Sequence, residues 1–164
     1  MITLVVLSTG LAAAVFTDVR TRRIPNWLTG AIAGAGFGLA CGGGVVTPLQ
    51  AALGLLAGLL LMMPGHVIGA TGAGDVKLMA AVGSVVGPEM VFRAFLYSAV
   101  AGGVFAVIVA VRRGRLATTL QDASRLVTSP AGAREAIEAP TRANRFAYGP
   151  AIAAGTLVSL MVTS

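Results

Sequence analysis

Apolar residues dominate six stretches of this chain, and polar or charged residues gather between them. The stretches cover approximately residues 2–17, 27–46, 49–63, 66–86, 90–111 and 146–162. A helix that crosses the hydrocarbon layer needs about 20 residues, within a range of about 17–25. The first and third stretches reach that length only if their flanks join them, and the fourth has the least distinct boundaries. The pattern predicts an all-α, polytopic membrane protein with six transmembrane helices in a single domain, residues 1–164.

The basic residues give this bundle an orientation. Arg20, Arg22 and Arg23 follow the first apolar stretch instead of preceding it, the reverse of a secretory signal peptide. That order predicts a retained helix with its N-terminus outside. Six crossings then leave the loops 20–26, 64–77 and 112–145 in the cytoplasm and put both termini outside. These loops carry every Lys and Arg of the chain except Arg93, in keeping with the positive-inside rule. The external loops hold Glu89 and Arg93. Loop 112–145 mixes Arg with Asp122, Glu135 and Glu138, and Pro130 and Pro140 interrupt it. It is expected to be a solvated cytoplasmic segment or a short amphipathic helix at the membrane surface.

Composition supports the membrane reading. Hydrophobic residues make up 56% of the chain and charged residues 11%, against about 25% charged in a typical soluble domain. So few charges do not cover a globule in water. The net charge of +6 would suggest nucleic acid in a soluble protein, but here the loop bias explains it and no nucleic-acid partner is expected. The chain holds 22 Gly, and small residues let membrane helices approach closely. Gly30, Gly34 and Gly38 recur every four residues in the second stretch, and Gly54 and Gly58 in the third. Both series predict faces for close packing, within the chain or between copies. Cys41 stands alone, which leaves no disulfide framework or Cys-x-x-Cys metal site, and it is expected to be a small packing residue.

The chemistry falls to few residues. Of six acidic residues, three lie in loop 112–145 and Glu89 lies in an external turn. Asp18 and Asp75 remain, each where an apolar stretch meets a cytoplasmic loop, so both are expected at one side of the membrane. An ionisable residue at such a depth is costly and is a functional candidate. A structural role is open to each. Asp18 would end the first helix and pair with Arg22; Asp75, after Thr71-Gly72-Ala73-Gly74, would cap a helix N-terminus. As a pair they suit hydrolysis: two close carboxylates do not both ionise cheaply, so one keeps a proton while the other acts as base on a water. Glycines before Asp75 would let the backbone pass close to a helix or an extended substrate. Other hydrolase chemistries find no support. A single histidine, His66, excludes a His-x-x-x-His zinc site, and no Gly-x-Ser-x-Gly stretch, Walker loop or dinucleotide fingerprint is present. No metal or cofactor is expected, and His66 is expected to be an interfacial loop residue.

At these residues the sequence resembles the type IV prepilin peptidase family, intramembrane aspartic enzymes with a Gly-x-Gly-Asp signature. Asp18-Val19-Arg20-Thr21-Arg22-Arg23-Ile24-Pro25-Asn26 is similar to the family's first motif, and Gly72-Ala73-Gly74-Asp75-Val76-Lys77-Leu78 to its second. Tyr148-Gly149-Pro150 resembles the opening of the family's last helix, and Pro suits a helix start. Gly-x-Gly-Asp carries little alone, but the motifs in this order within a six-span chain are specific. The resemblance implies Asp18 and Asp75 as the catalytic pair. Gly72, Gly74, Lys77, Pro25 and Asn26 would shape the site or bind substrate, with Lys77 tuning an aspartate or meeting lipid phosphate. It implies an endopeptidase of the bacterial inner membrane, cutting a basic leader from a pilin precursor at the cytoplasmic face. The short first loop, without cysteines, resembles forms that lack the methylating domain and serve Flp/tad-type pili. Archaeal preflagellin peptidases are related, and the sequence leaves that substrate class open. Two other classes stay open from the residues: a small proton-coupled transporter with the aspartates as relay groups, and a non-catalytic assembly subunit.

Overall fold

The computed structural model describes residues 2–67, 71–112 and 148–163. These residues form six helices and no strand: α1 (Ile2–Thr21), α2 (Asn26–Cys41), α3 (Pro48–Val67), α4 (Ala73–Val86), α5 (Pro88–Arg112) and α6 (Gly149–Thr163). Each apolar stretch of the sequence thus holds one helix. The expected loop 112–145 lies outside the described residues beyond Arg112.

Three helices, α1, α3 and α5 over Pro88–Ile108, are long and apolar enough to cross a membrane. The others have 16, 14 and 15 residues, or about 21–24 Å at 1.5 Å per residue, less than the ~30 Å hydrocarbon layer. The bundle is apolar outside as well as inside. Phe16, Leu49, Leu56, Leu60, Phe92, Val100 and Met161 are all exposed, a surface that fits lipid rather than water.

The centre of the bundle is α4. From Leu78 to Val85 every one of its residues is buried, and it packs against α2, α3 and α5. Glycines make these crossings possible. A Cβ on Gly54 of α3 would run into the Gly83 carbonyl of α4, and the reverse holds for Gly83. Gly58 meets Met79 and Ala80 in the same way, and Gly36 of α2 meets Ser84. Gly54 and Gly58 therefore pack as expected. Gly30, Gly34 and Gly38 do not pack closely within the described residues of the chain: a Cβ on any of them meets nothing within 4 Å. Spacing by four defines a stripe but not which side of the helix turns inward, and on α2 the inward side carries Leu28, Ile32, Gly36 and Ala40. Cys41 is likewise exposed, at the last residue of α2, rather than packed.

Boundaries differ where polar residues sit at helix ends. α1 continues past residue 17 through Asp18 to Thr21, because helical bonding satisfies its backbone as the side chains turn polar. It stops at Arg22, which takes φ +52° and still donates its N–H to the Asp18 carbonyl at 2.8 Å. α3 runs through Pro64 to Val67. A proline in the last turn forfeits one backbone bond but has little helix left to break.

Candidate active site

Asp18 lies in the last turn of α1 and Asp75 in the first turn of α4. They are 6% and 7% exposed, and they are the two charged side chains buried among the described residues. Their elements meet at one end of the bundle, and Asp75 feels the charge of Asp18. Asp18 does not take the structural place open to it, whereas Asp75 does in part, capping the start of α4 from its third helical residue. Among the described residues no ion pair joins Asp18 to Arg22; its Oδ2 instead accepts the Gly149 N–H at 2.9 Å. Asp75 is not the N-cap of α4. Gly72 is, and Asp75, three residues on, accepts the Gly72 N–H on Oδ2 at 3.1 Å. Each carboxylate is thus held through its Oδ2 by a glycine amide.

The two sequence motifs interlock around the pair. Gly74 lies against Ile24: a Cβ there would sit 3.2 Å from the Ile24 Cβ. Ile24 is buried and so pins the loop after α1 onto the start of α4. Pro25 is the N-cap of α2, with φ −64° and ψ 139°; its carbonyl accepts the N–H of Leu28 at 3.1 Å. Asn26 opens α2, and its Oδ1 accepts a hydrogen bond from Lys77 Nζ at 2.9 Å. Lys77 therefore ties α4 to α2. Gly72, Gly74, Pro25, Asn26 and Lys77 all lie at this end of the bundle.

His66 stands apart in the last turn of α3, exposed, with Nδ1 3.2 Å from the Thr71 carbonyl. Among the described residues no cluster of three or more His, Cys, Asp and Glu is arranged for a metal ion. Sequence reasoning missed the part of Gly149. Its position before Pro150 marks a helix start, where backbone N–H groups lack intrahelical partners, but nothing local indicates that one of them meets Asp18.

A helical bundle with an apolar exterior, three of whose helices are long and apolar enough to cross a bilayer, has the form of a membrane protein. Residues 5–107 match the model of the type IV leader peptidase family. The chain belongs to that family, whose members are proteases that act on prepilin-like leaders. The matched stretch contains both motifs and both aspartates. No curated protein and no solved structure matches the chain.

Proposed function

We propose that this protein is an aspartic endopeptidase of the bacterial inner membrane that removes basic leaders from Flp-type pilin precursors at the cytoplasmic face. The observation that carries the reading is the burial of both Asp18 and Asp75 at one end of the bundle, where no other charged side chain is buried among the described residues. Burying two carboxylates costs free energy that a purely structural site would avoid. Membership of the leader peptidase family favours peptide hydrolysis over proton relay for the same pair.

In this reading residues 1–164 form one membrane domain whose six helices all cross, with both termini outside and loop 112–145 in the cytoplasm. Arg20, Arg22, Arg23, Lys77 and Arg112 lie toward the end that holds the aspartates, and Glu89 and Arg93 lie toward the other. The basic end faces the cytoplasm under the positive-inside rule. Arg20, stacked 5.8 Å from the Phe16 ring centre, suits the interface, with an apolar partner below and water above. The shorter helices α2, α4 and α6 fit a bilayer thinned around the site.

One carboxyl carries a proton and the other is ionised, the division expected of two acids that share a site. The ionised carboxylate takes a proton from a water, whose oxygen attacks the scissile carbonyl carbon. The protonated carboxyl donates to the carbonyl oxygen. The carboxyl that took the water's proton then passes it to the peptide nitrogen, a hydroxyl of the tetrahedral intermediate returns a proton to the other carboxylate, and the C–N bond breaks to release the amine and the new carboxyl end.

The test is co-expression of a pilin precursor with wild type, Asp18→Asn and Asp75→Asn, each checked for membrane insertion. The expected result is leader removal by wild type and none by either variant. Normal cleavage by a variant would refute the mechanism. Wild-type failure on a panel of pilin precursors, with proton-driven flux abolished by the same variants, would favour the transporter.

A further inference from the structure

We propose that the start of α6, Tyr148–Gly149, is a positioning element for Asp18: the Gly149 amide fixes one carboxylate oxygen and so aims the other at the reacting water. The inference rests on the reading of Asp18 and Asp75 as the catalytic pair.

The Gly149 N–H reaches Asp18 Oδ2 at 2.9 Å in a buried contact that spans 131 residues of sequence. A Cβ at position 149 would fall 2.7 Å from that oxygen and 3.2 Å from the Asp18 Cβ and Cγ. Any residue but glycine would therefore push the carboxylate aside. The terminal torsion of an aspartate is broad and roughly two-fold, so burial alone does not set which way its oxygens point. A fixed donor on Oδ2 does.

The donor is itself fixed from a third helix. The Tyr148 O–H donates to the Ser98 carbonyl of α5 at 3.2 Å, and the Tyr148 ring packs over Gly102, where a Cβ would meet it. The Tyr148 carbonyl accepts the N–H groups of Ala151 and Ile152 at 3.0 and 3.1 Å, closing the first turn of α6. Tyr148 also lies within reach of the charge on Asp75. One short segment thus touches α5, α1 and the surroundings of α4. Asp18 is oriented by a backbone anchored on α5, independently of the loop that carries Ile24, Pro25 and Asn26.

The experiment uses the full chain in lipid nanodiscs and a synthetic pilin-precursor peptide with a basic leader and an apolar helix. Steady-state kinetics are measured for wild type, Gly149→Ala, Tyr148→Phe, Asp18→Asn and Asp75→Asn, with folding followed by circular dichroism. Displacing a reacting group by about 1 Å costs about a hundredfold in rate, so Gly149→Ala should lower kcat by that order and leave KM within about twofold. Tyr148→Phe keeps the ring but loses its hydrogen bond, and should lower kcat by about two- to tenfold with KM and folding unchanged. If Gly149→Ala does not fold, Tyr148→Phe decides. Folded variants with wild-type kcat, or with a raised KM and an intact kcat, would overturn the positioning role while leaving the aspartate pair in place. Wild-type turnover by Asp18→Asn or Asp75→Asn would overturn the pair itself, and this role with it.

Discussion

Replacing Gly83 by alanine puts a methyl group where the Gly54 carbonyl of α3 already lies. The obstructing atom is backbone on a neighbouring helix, so no side-chain rotation relieves the contact. Either α3 and α4 separate or the methyl forces local bending. Overpacking of this kind costs about 1–3 kcal/mol, and backbone-against-backbone geometry puts Gly83→Ala at about 3 kcal/mol. Gly30→Ala is the matched control. A Cβ at Gly30 meets nothing within 4 Å, and alanine gains up to about 1 kcal/mol over glycine in a helix interior. The same chemical change should therefore have opposite signs at two positions. Unfolding in mixed micelles at rising fractions of a denaturing detergent, followed by circular dichroism, measures both. The Gly83→Ala midpoint should fall sharply, and the Gly30→Ala midpoint should hold or rise slightly. Equal shifts for the two variants, or no loss for Gly83→Ala, would refute the account of α4 as a helix wedged between glycine faces.

Three further outcomes follow from the same geometry. Lys77→Met removes the bond to Asn26 Oδ1; because Lys77 is exposed, thermal stability should fall by no more than about 1 kcal/mol, and a larger loss in a melt would assign Lys77 a greater structural part. Gly74→Val should lower both stability and cleavage, since even a Cβ there would stand 3.2 Å from the Ile24 Cβ at the junction of the two motifs; an unaltered melting temperature would contradict that packing. Changing Arg20, Arg22 and Arg23 together to Glu should weaken the orientation of α1, and a reporter fused to the N-terminus should then appear partly inside; unchanged orientation would remove these residues as the topology signal.

Much of this was legible in the sequence, and the exceptions share a cause. Six apolar stretches mark six helices because helical bonding is the means by which a lipid-exposed backbone satisfies its polar groups. The aspartates stand out because acids are so scarce that burying two has few explanations. Boundaries were less legible: the charge at Asp18 marks the interface, whereas the helix runs on to Thr21. At the end of α2, Gly42, Gly43 and Gly44 end the helix short of Val46, with Gly43 at φ +78°. Long-range facts were the least legible. Which glycines of α2 turn inward, and that the Gly149 amide meets Asp18, depend on how helices distant in sequence are docked.

Purified wild type, Asp18→Asn, Asp75→Asn and the double variant, assayed on one precursor peptide, test the central claim most directly. Two carboxylates that act as one unit show strongly non-additive losses. Each single substitution should reduce kcat by at least about a hundredfold, and the double variant should be no slower than the worse single variant. Losses that multiply in the double variant, or turnover retained by either single variant, would contradict a catalytic pair made of Asp18 and Asp75.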